Sequence, residues 1–101
     1  MAVFLRSAEF DTWLRALKDN IGKARIVHRI RSAELGNFGD VAAVGDGVFE
    51  MRVHVGPGYR VYYARRDSEV WLLLVGGDKS TQPRDIARAK AMAAALAGSN
   101  S

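Results

Sequence analysis

Val48-Phe49-Glu50-Met51-Arg52-Val53-His54-Val55-Gly56-Pro57-Gly58-Tyr59-Arg60-Val61-Tyr62-Tyr63-Ala64-Arg65-Arg66 is the stretch that decides the fold. Apolar and polar residues alternate on both sides of a Gly-Pro-Gly turn, and a period of two is the signature of a strand. Val48 to Val55 and Tyr59 to Arg66 therefore predict an antiparallel hairpin. If Val55 pairs with Tyr59, the next apolar pairs are Val53 with Val61 and Met51 with Tyr63. Directly opposed residues point to the same face. The other face then carries His54 opposite Arg60, Arg52 opposite Tyr62, and Glu50 opposite Ala64. A slip by one residue would scatter this charged set and spoil the apolar face.

Downstream, Asp67-Ser68 opens a turn, and Val70 to Val75 is continuously apolar, as expected of a central strand buried on both faces. Gly76-Gly77 is expected to end it. Ser80 or Thr81 then caps a last helix, with Pro83 and Asp85 in its first turn and Ile86, Ala89, Ala93 and Leu96 on its apolar face. Upstream, Asp46-Gly47 marks a tight turn after a short strand over Val41 to Val44. Before it, Ser7 caps a helix with Phe10, Trp13, Leu14 and Leu17 on one stripe. Gly22 ends or kinks that helix. A second helix follows, with Ala24, Val27 and Ile30 inward and Gly36 past its end. The predicted order is α-α-β-β-β-β-α, an α+β domain with an antiparallel meander.

The chain has 101 residues and a 49% hydrophobic composition, enough for one core and one domain, expected over 1–97 with a flexible tail at 98–101. Cysteine is absent, which fits a reducing cytoplasm. With no Cys/His cluster, neither a metal nor any other cofactor is expected. No apolar run is long enough to span a membrane, and the first six residues do not read as a secretory signal.

The formal net charge of +4 is unevenly spread. Residues 6–31 hold seven Lys/Arg against three acids, residues 32–49 hold three acids and no base, and residues 50–66 are net +3. Such patterning suits an anionic partner, although a solvated basic surface would look similar. On the hairpin's charged face, two guanidiniums can grip a phosphate and stabilise the added charge of a pentacoordinate transition state. A carboxylate, histidine or lysine nearby can take the proton of a ribose 2′-OH, and Tyr62 can stack on a base. The same residues would also suit an ordinary exposed strand with cross-strand ion pairs. Trp13 and Trp71 read as core, and His28 as helix surface.

Gly47 to Val53 followed by Gly56 to Tyr63 resembles the signature of phage-derived addiction-module killer proteins, in the RelE/ParE toxin superfamily near the HigB-like group. Gly76-Gly77-Asp78-Lys79-Ser80-Thr81-Gln82 with Asp85-Ile86 resembles that family's second motif. Ala24-Arg25-Ile26 and Gly36 to Asp40 are also similar, so the resemblance runs from about Phe10 to Leu96. It implies two N-terminal helices on a curved, four-stranded, mainly antiparallel sheet, then a C-terminal helix.

The resemblance also implies a type II toxin whose partner is a cognate helix-turn-helix antitoxin. Its expected activity is ribosome-dependent, metal-free endoribonuclease cleavage of mRNA, leaving a 2′,3′-cyclic phosphate and a 5′-OH. Glu50, Arg52, Arg60 and Lys79 match the motif positions and are the expected catalytic residues. Arg52 and Arg60 would grip the phosphate, while Glu50 would act as base or would orient Arg52. His54, Tyr62, Lys23, Arg25 and Arg29 are expected to bind RNA. Many relatives carry a late tyrosine or histidine, but this chain has no tyrosine after Tyr63 and no histidine after His54. Lys79 or the ribosome would have to supply the acid. Two other readings stay open: a ParE-like inhibitor of DNA gyrase, and a degenerate nucleic-acid-binding module.

Overall fold

The computed structural model describes residues 2–99. Strand β1 (Val3–Arg6) leads into helices α1 (Ala8–Ala16) and α2 (Asn20–Glu34). Strands β2 (Val41–Gly45), β3 (Val48–Val53), β4 (Tyr59–Arg65) and β5 (Val70–Asp78) follow, then a 3-10 turn (Lys79–Thr81) and helix α3 (Gln82–Ser99). Of the tail expected at 98–101, Asn100 and Ser101 lie outside the described residues. No helix among the described residues is long and apolar enough to cross a membrane.

The sheet has five strands in the order β1-β5-β4-β3-β2, not the four expected. The extra strand, β1, pairs parallel with β5, from Val3 opposite Val70 to Arg6 opposite Leu73, so the sheet is mixed. It carries little signal of its own. Only Phe4 of its four residues is buried, and its partner lies far along the chain.

The break between the helices falls earlier than Gly22. Ser7 caps α1, its hydroxyl accepting from the Phe10 N–H at 2.9 Å. The backbone turns extended at Leu17, and the Asp19 carboxylate caps α2 by accepting from the Gly22 N–H at 3.0 Å. Gly22 sits inside α2 because the Tyr59 ring lies against it, 2.5 Å from where a Cβ would be. The inward stripe of α2 is Gly22, Ile26, Ile30 and Ala33, whereas Ala24 is exposed.

The hairpin register is shifted by two residues, so the loop between the paired ends is two residues longer than expected. Val53 faces Tyr59, Arg52 faces Arg60, Met51 faces Val61, and Glu50 faces Tyr62. A shift of two preserves which face each side chain occupies and changes only its opposite number. His54 and Val55 move into the turn, which closes with the Gly58 N–H on the Val55 carbonyl at 3.1 Å. At the other end of β3, Asp46 and Gly47 both have positive φ, 56° and 77°, as the two-residue turn requires.

Both sheet faces are covered. Helices α1 and α2 bury Phe10, Leu14, Ile26 and Ile30 against Met51, Val61, Tyr63 and Leu73. Helix α3 lays Ala89, with Ile86, Ala93 and Leu96 beside it, over Val48, Tyr62, Ala64 and Leu74. Trp71 lies with Phe4, Phe38, Phe49 and Tyr63 in an aromatic cluster, and Trp13 packs on Phe10 and Tyr59.

Gly76 and Gly77 do not end β5; they pair with Val61 and Arg60 inside it. Close approach explains them. A Cβ on Gly76 would stand 2.3 Å from the Trp13 ring, and one on Gly77 would stand 1.9 Å from an Asp85 carboxylate oxygen. The cap of the final helical segment is Asp78 rather than Ser80 or Thr81. Its carboxylate accepts from the Ser80 N–H at 2.8 Å, and its own N–H donates to the Thr81 hydroxyl at 3.3 Å.

Gly76→Ala forces a methyl into the Trp13 ring, and overpacking of this kind costs about 1–3 kcal/mol. Urea denaturation should show a lower midpoint with an unchanged slope. A second expectation concerns acid. The Gly22 N–H first, and the Tyr59 hydroxyl second, hold the Asp19 carboxyl below its ordinary value of 3.8. Tyr59 is pushed up to about 12, by burial and then by its bond to Asp19. A group depressed in the folded state stabilises above its unfolded value and loses that contribution as pH falls through its folded value. The melting temperature should therefore drop as pH is lowered below 3.8. Asp19→Asn, which can still cap, should flatten that part of the profile.

Candidate functional site

The even-numbered face of β3 and β4 carries the charged set, as the alternation predicted, but α3 covers part of it. Glu50 lies under the start of α3 and is 1% exposed. Its carboxylate accepts from Arg52 Nε at 3.0 Å, from the Tyr62 hydroxyl at 3.1 Å and from Gln82 Nε2 at 2.7 Å. Arg60 Nε stands 3.9 Å away, close enough for charge but not for a hydrogen bond. A carboxylate filled in this way is committed to its donors. It orients Arg52 and sets a countercharge beside Arg60.

Arg60 is 7% exposed. Its Nη1 donates to the Gly58 carbonyl at 3.1 Å, while its buried Nε has no hydrogen-bond partner. Arg52 is more open, and its Nη1 also reaches Asp40 at 3.4 Å. Lys79 is exposed on the 3-10 turn after β5. Gly58 leaves room between it and Arg60: a Cβ there would stand 3.4 Å from Arg60 Nη1 and 3.9 Å from the Lys79 stem. Lys79, Arg60 and Arg52 thus follow one another across the ends of β5, β4 and β3, where neighbouring strands are about 4.8 Å apart.

His54 continues this row, just past β3. Its Nε2 lies 2.5 Å from the Asp40 carboxylate. That bond first, and the Arg52 charge after it, hold the Asp40 carboxyl below its ordinary range against the opposing effect of desolvation.

Other expected contacts fall elsewhere. Tyr62 was expected to offer a ring to RNA, but it is wholly buried, and its phenol is spent on Glu50. Burial, then the Glu50 charge, pushes its pKa far up. Arg29 is a structural clamp from α2, donating to the carbonyls of Arg52, Phe38 (3.0 Å) and Asp40 (3.4 Å). Lys23 and Arg25 also sit on α2, which packs on the opposite sheet face, so the fold does not bring them to the arginine pair. Lys23 Nζ donates to the Arg15 carbonyl at 3.4 Å, and Arg25 is exposed. Gln82 was missed as a site residue, because only the placement of α3 puts it on Glu50.

Residues 12–97 match the family described as Phage derived protein Gp49-like (DUF891). A protein of Haemophilus influenzae (strain ATCC 51907 / DSM 11121 / KW20 / Rd), itself described as uncharacterized, is 49% identical over 87 residues. That alignment takes in 86% of this chain and 88% of the relative. With this coverage, and with an α+β fold of three helices on a mixed sheet, the chain belongs to the phage-derived Gp49-like family, within the RelE/ParE-like toxin clan.

Proposed function

We propose that this protein is the toxin of a type II toxin–antitoxin pair, nearest the HigB-like group, and that it cuts messenger RNA on the ribosome. The observation that carries the reading is the buried Glu50 carboxylate holding Arg52 beside the nearly buried Arg60, whose Nε lacks a partner. A nearly buried guanidinium with an unpaired donor is costly, and an anion bound at its open edge would offset part of that cost. The row from Lys79 to Arg52 suits a polyanion that runs across the strand ends.

In this reading the ribose 2′ oxygen attacks the adjacent phosphorus, and Arg60 and Arg52 stabilise the charge that builds on the non-bridging oxygens. Lys79 would protonate the leaving 5′ oxygen. Glu50 is a positioning residue, held by Tyr62 and Gln82 so that Arg52 keeps its orientation. Acidic segments of a cognate helix-turn-helix antitoxin would silence the site by pairing with the same arginines. Action on ribosomes places the protein in the cytoplasm.

The test is induction of the wild-type chain and its Arg52→Ala and Arg60→Ala variants in bacteria, following growth and messenger integrity. Wild type should arrest growth with cut messenger, and each arginine variant should lose about 10²–10³-fold in cleavage rate. Growth arrest with intact messenger and a DNA-damage response would instead indicate gyrase inhibition. Glu50→Gln should lose less activity than Arg60→Ala and keep the acid limb of the wild-type pH–rate profile, because no base has been removed. Loss of that limb would reassign Glu50 as the base.

A further inference from the structure

Asp40 and His54 flank the arginine pair. Asp40 lies one residue ahead of β2, and its backbone is tied down from two elements. Its carbonyl accepts from the Arg52 N–H of β3 at 3.0 Å and from the Arg29 guanidinium of α2 at 3.4 Å. Its carboxylate spans two partners, with Oδ1 3.4 Å from Arg52 Nη1 and Oδ2 2.5 Å from His54 Nε2. One carboxylate thus ties the imidazole to the guanidinium. His54 itself is exposed, with 67% of its side chain open to solvent, so a ligand on Arg52 can reach it.

The hydrogen bond fixes the tautomer. An ionised carboxylate only accepts, so Nε2 must carry the ring proton. Nδ1 of the neutral ring then keeps its lone pair. The charged groups around the imidazole are Asp40 from the loop before β2, Arg52 from β3, and Arg29 of α2, whose guanidinium lies on the backbone carbonyls of Asp40 and Arg52. Glu50 is the less accessible carboxylate, since it is buried and already accepts three hydrogen bonds.

We propose that His54, oriented by Asp40, is the general base that takes the ribose 2′ proton from an RNA whose phosphate is held by Arg52 and Arg60. The assignment rests on the ribonuclease reading above. The 2′-OH proton passes to Nδ1, the freed electron pair forms the O2′–P bond, and the P–O5′ bond breaks. The leaving 5′ oxygen takes a proton from the Lys79 ammonium. Water then removes the extra proton from the imidazolium and returns one to Lys79. The products are a 2′,3′-cyclic phosphate and a 5′-OH, with no net change in protons. Asp40 touches no reacting atom and is a positioning residue.

The experiment is single-turnover cleavage of a messenger programmed on purified ribosomes, comparing wild type with His54→Ala, Asp40→Asn and Arg60→Ala, with and without added imidazole. His54→Ala is an exposed truncation and should leave the melting temperature unchanged. It should slow cleavage about 10²–10⁴-fold while ribosome binding persists, and free imidazole should restore part of the rate. Asp40→Asn should lower the maximal single-turnover rate while leaving the half-saturating concentration little altered. A His54→Ala variant that cuts at the wild-type rate while Arg60→Ala is inactive would overturn the dyad and leave the ribonuclease reading standing. An inactive His54→Ala that imidazole does not rescue would likewise overturn the base assignment. Absence of cleavage by the wild type itself would overturn the ribonuclease reading, and the dyad with it.

Discussion

The buried Glu50 carboxylate is the constraint on which the charged end of the molecule depends. Taking a carboxylate out of water is costly unless its oxygens are filled and its charge is matched. Three donors fill them here, one from its own strand, one from β4 and one from the start of α3. The same bonds that make the burial tolerable fix Arg52 and bring the N-terminus of α3 onto the sheet. Arg60 is left with a countercharge at 3.9 Å but without a hydrogen bond, so part of its capacity stays unspent.

This arrangement is possible because both sheet faces are occupied. Helices α1 and α2 close one face with a continuous apolar core, which leaves the other face to be divided between α3 and the charged row. The glycine pair in β5 sets how close the two layers come: Trp13 rests on Gly76, and Asp85 with Thr81 rests on Gly77. Bulkier residues at either place would lift a helix, and on the α3 side they would lift Gln82 from Glu50. Arg88 of α3 also pairs with Glu9 of α1, with contacts of 2.7–3.1 Å. That pair is exposed, so it adds little energy.

Much of this was legible in the sequence. The hairpin, the face assignment of Glu50, Arg52, Arg60 and Tyr62, and the cap at Ser7 follow from local periodicity and side-chain chemistry. Most of what escaped depended on partners distant in the chain. Strand β1 has no alternation to speak of and exists because β5 offers it an edge. The register of β3 on β4 was set by the shape of the Gly56-Pro57-Gly58 turn, which absorbs His54 and Val55. Gly76-Gly77 looked like a terminator, because sequence records that a Cβ is missing but not which ring fills the space. The burial of Tyr62 and the role of Arg29 as a clamp were invisible for the same reason: both are decided by what packs on top.

The parallel pairing of β1 with β5 carries a consequence for how the molecule is assembled. Ser7, just past β1, hydrogen-bonds the Leu74 carbonyl across 67 residues of chain. Contacts of such long range are slow to form, because the loop-closure entropy is lost before the pairing offsets it. The sheet therefore cannot be completed until β5 exists, and Glu50 is not fully satisfied until Gln82, later still, has docked. A growing chain would hold its helices and its central hairpin well before it held an ordered arginine pair. Under the proposed function, the activity would switch on only after β5 and the start of α3 have been made and docked.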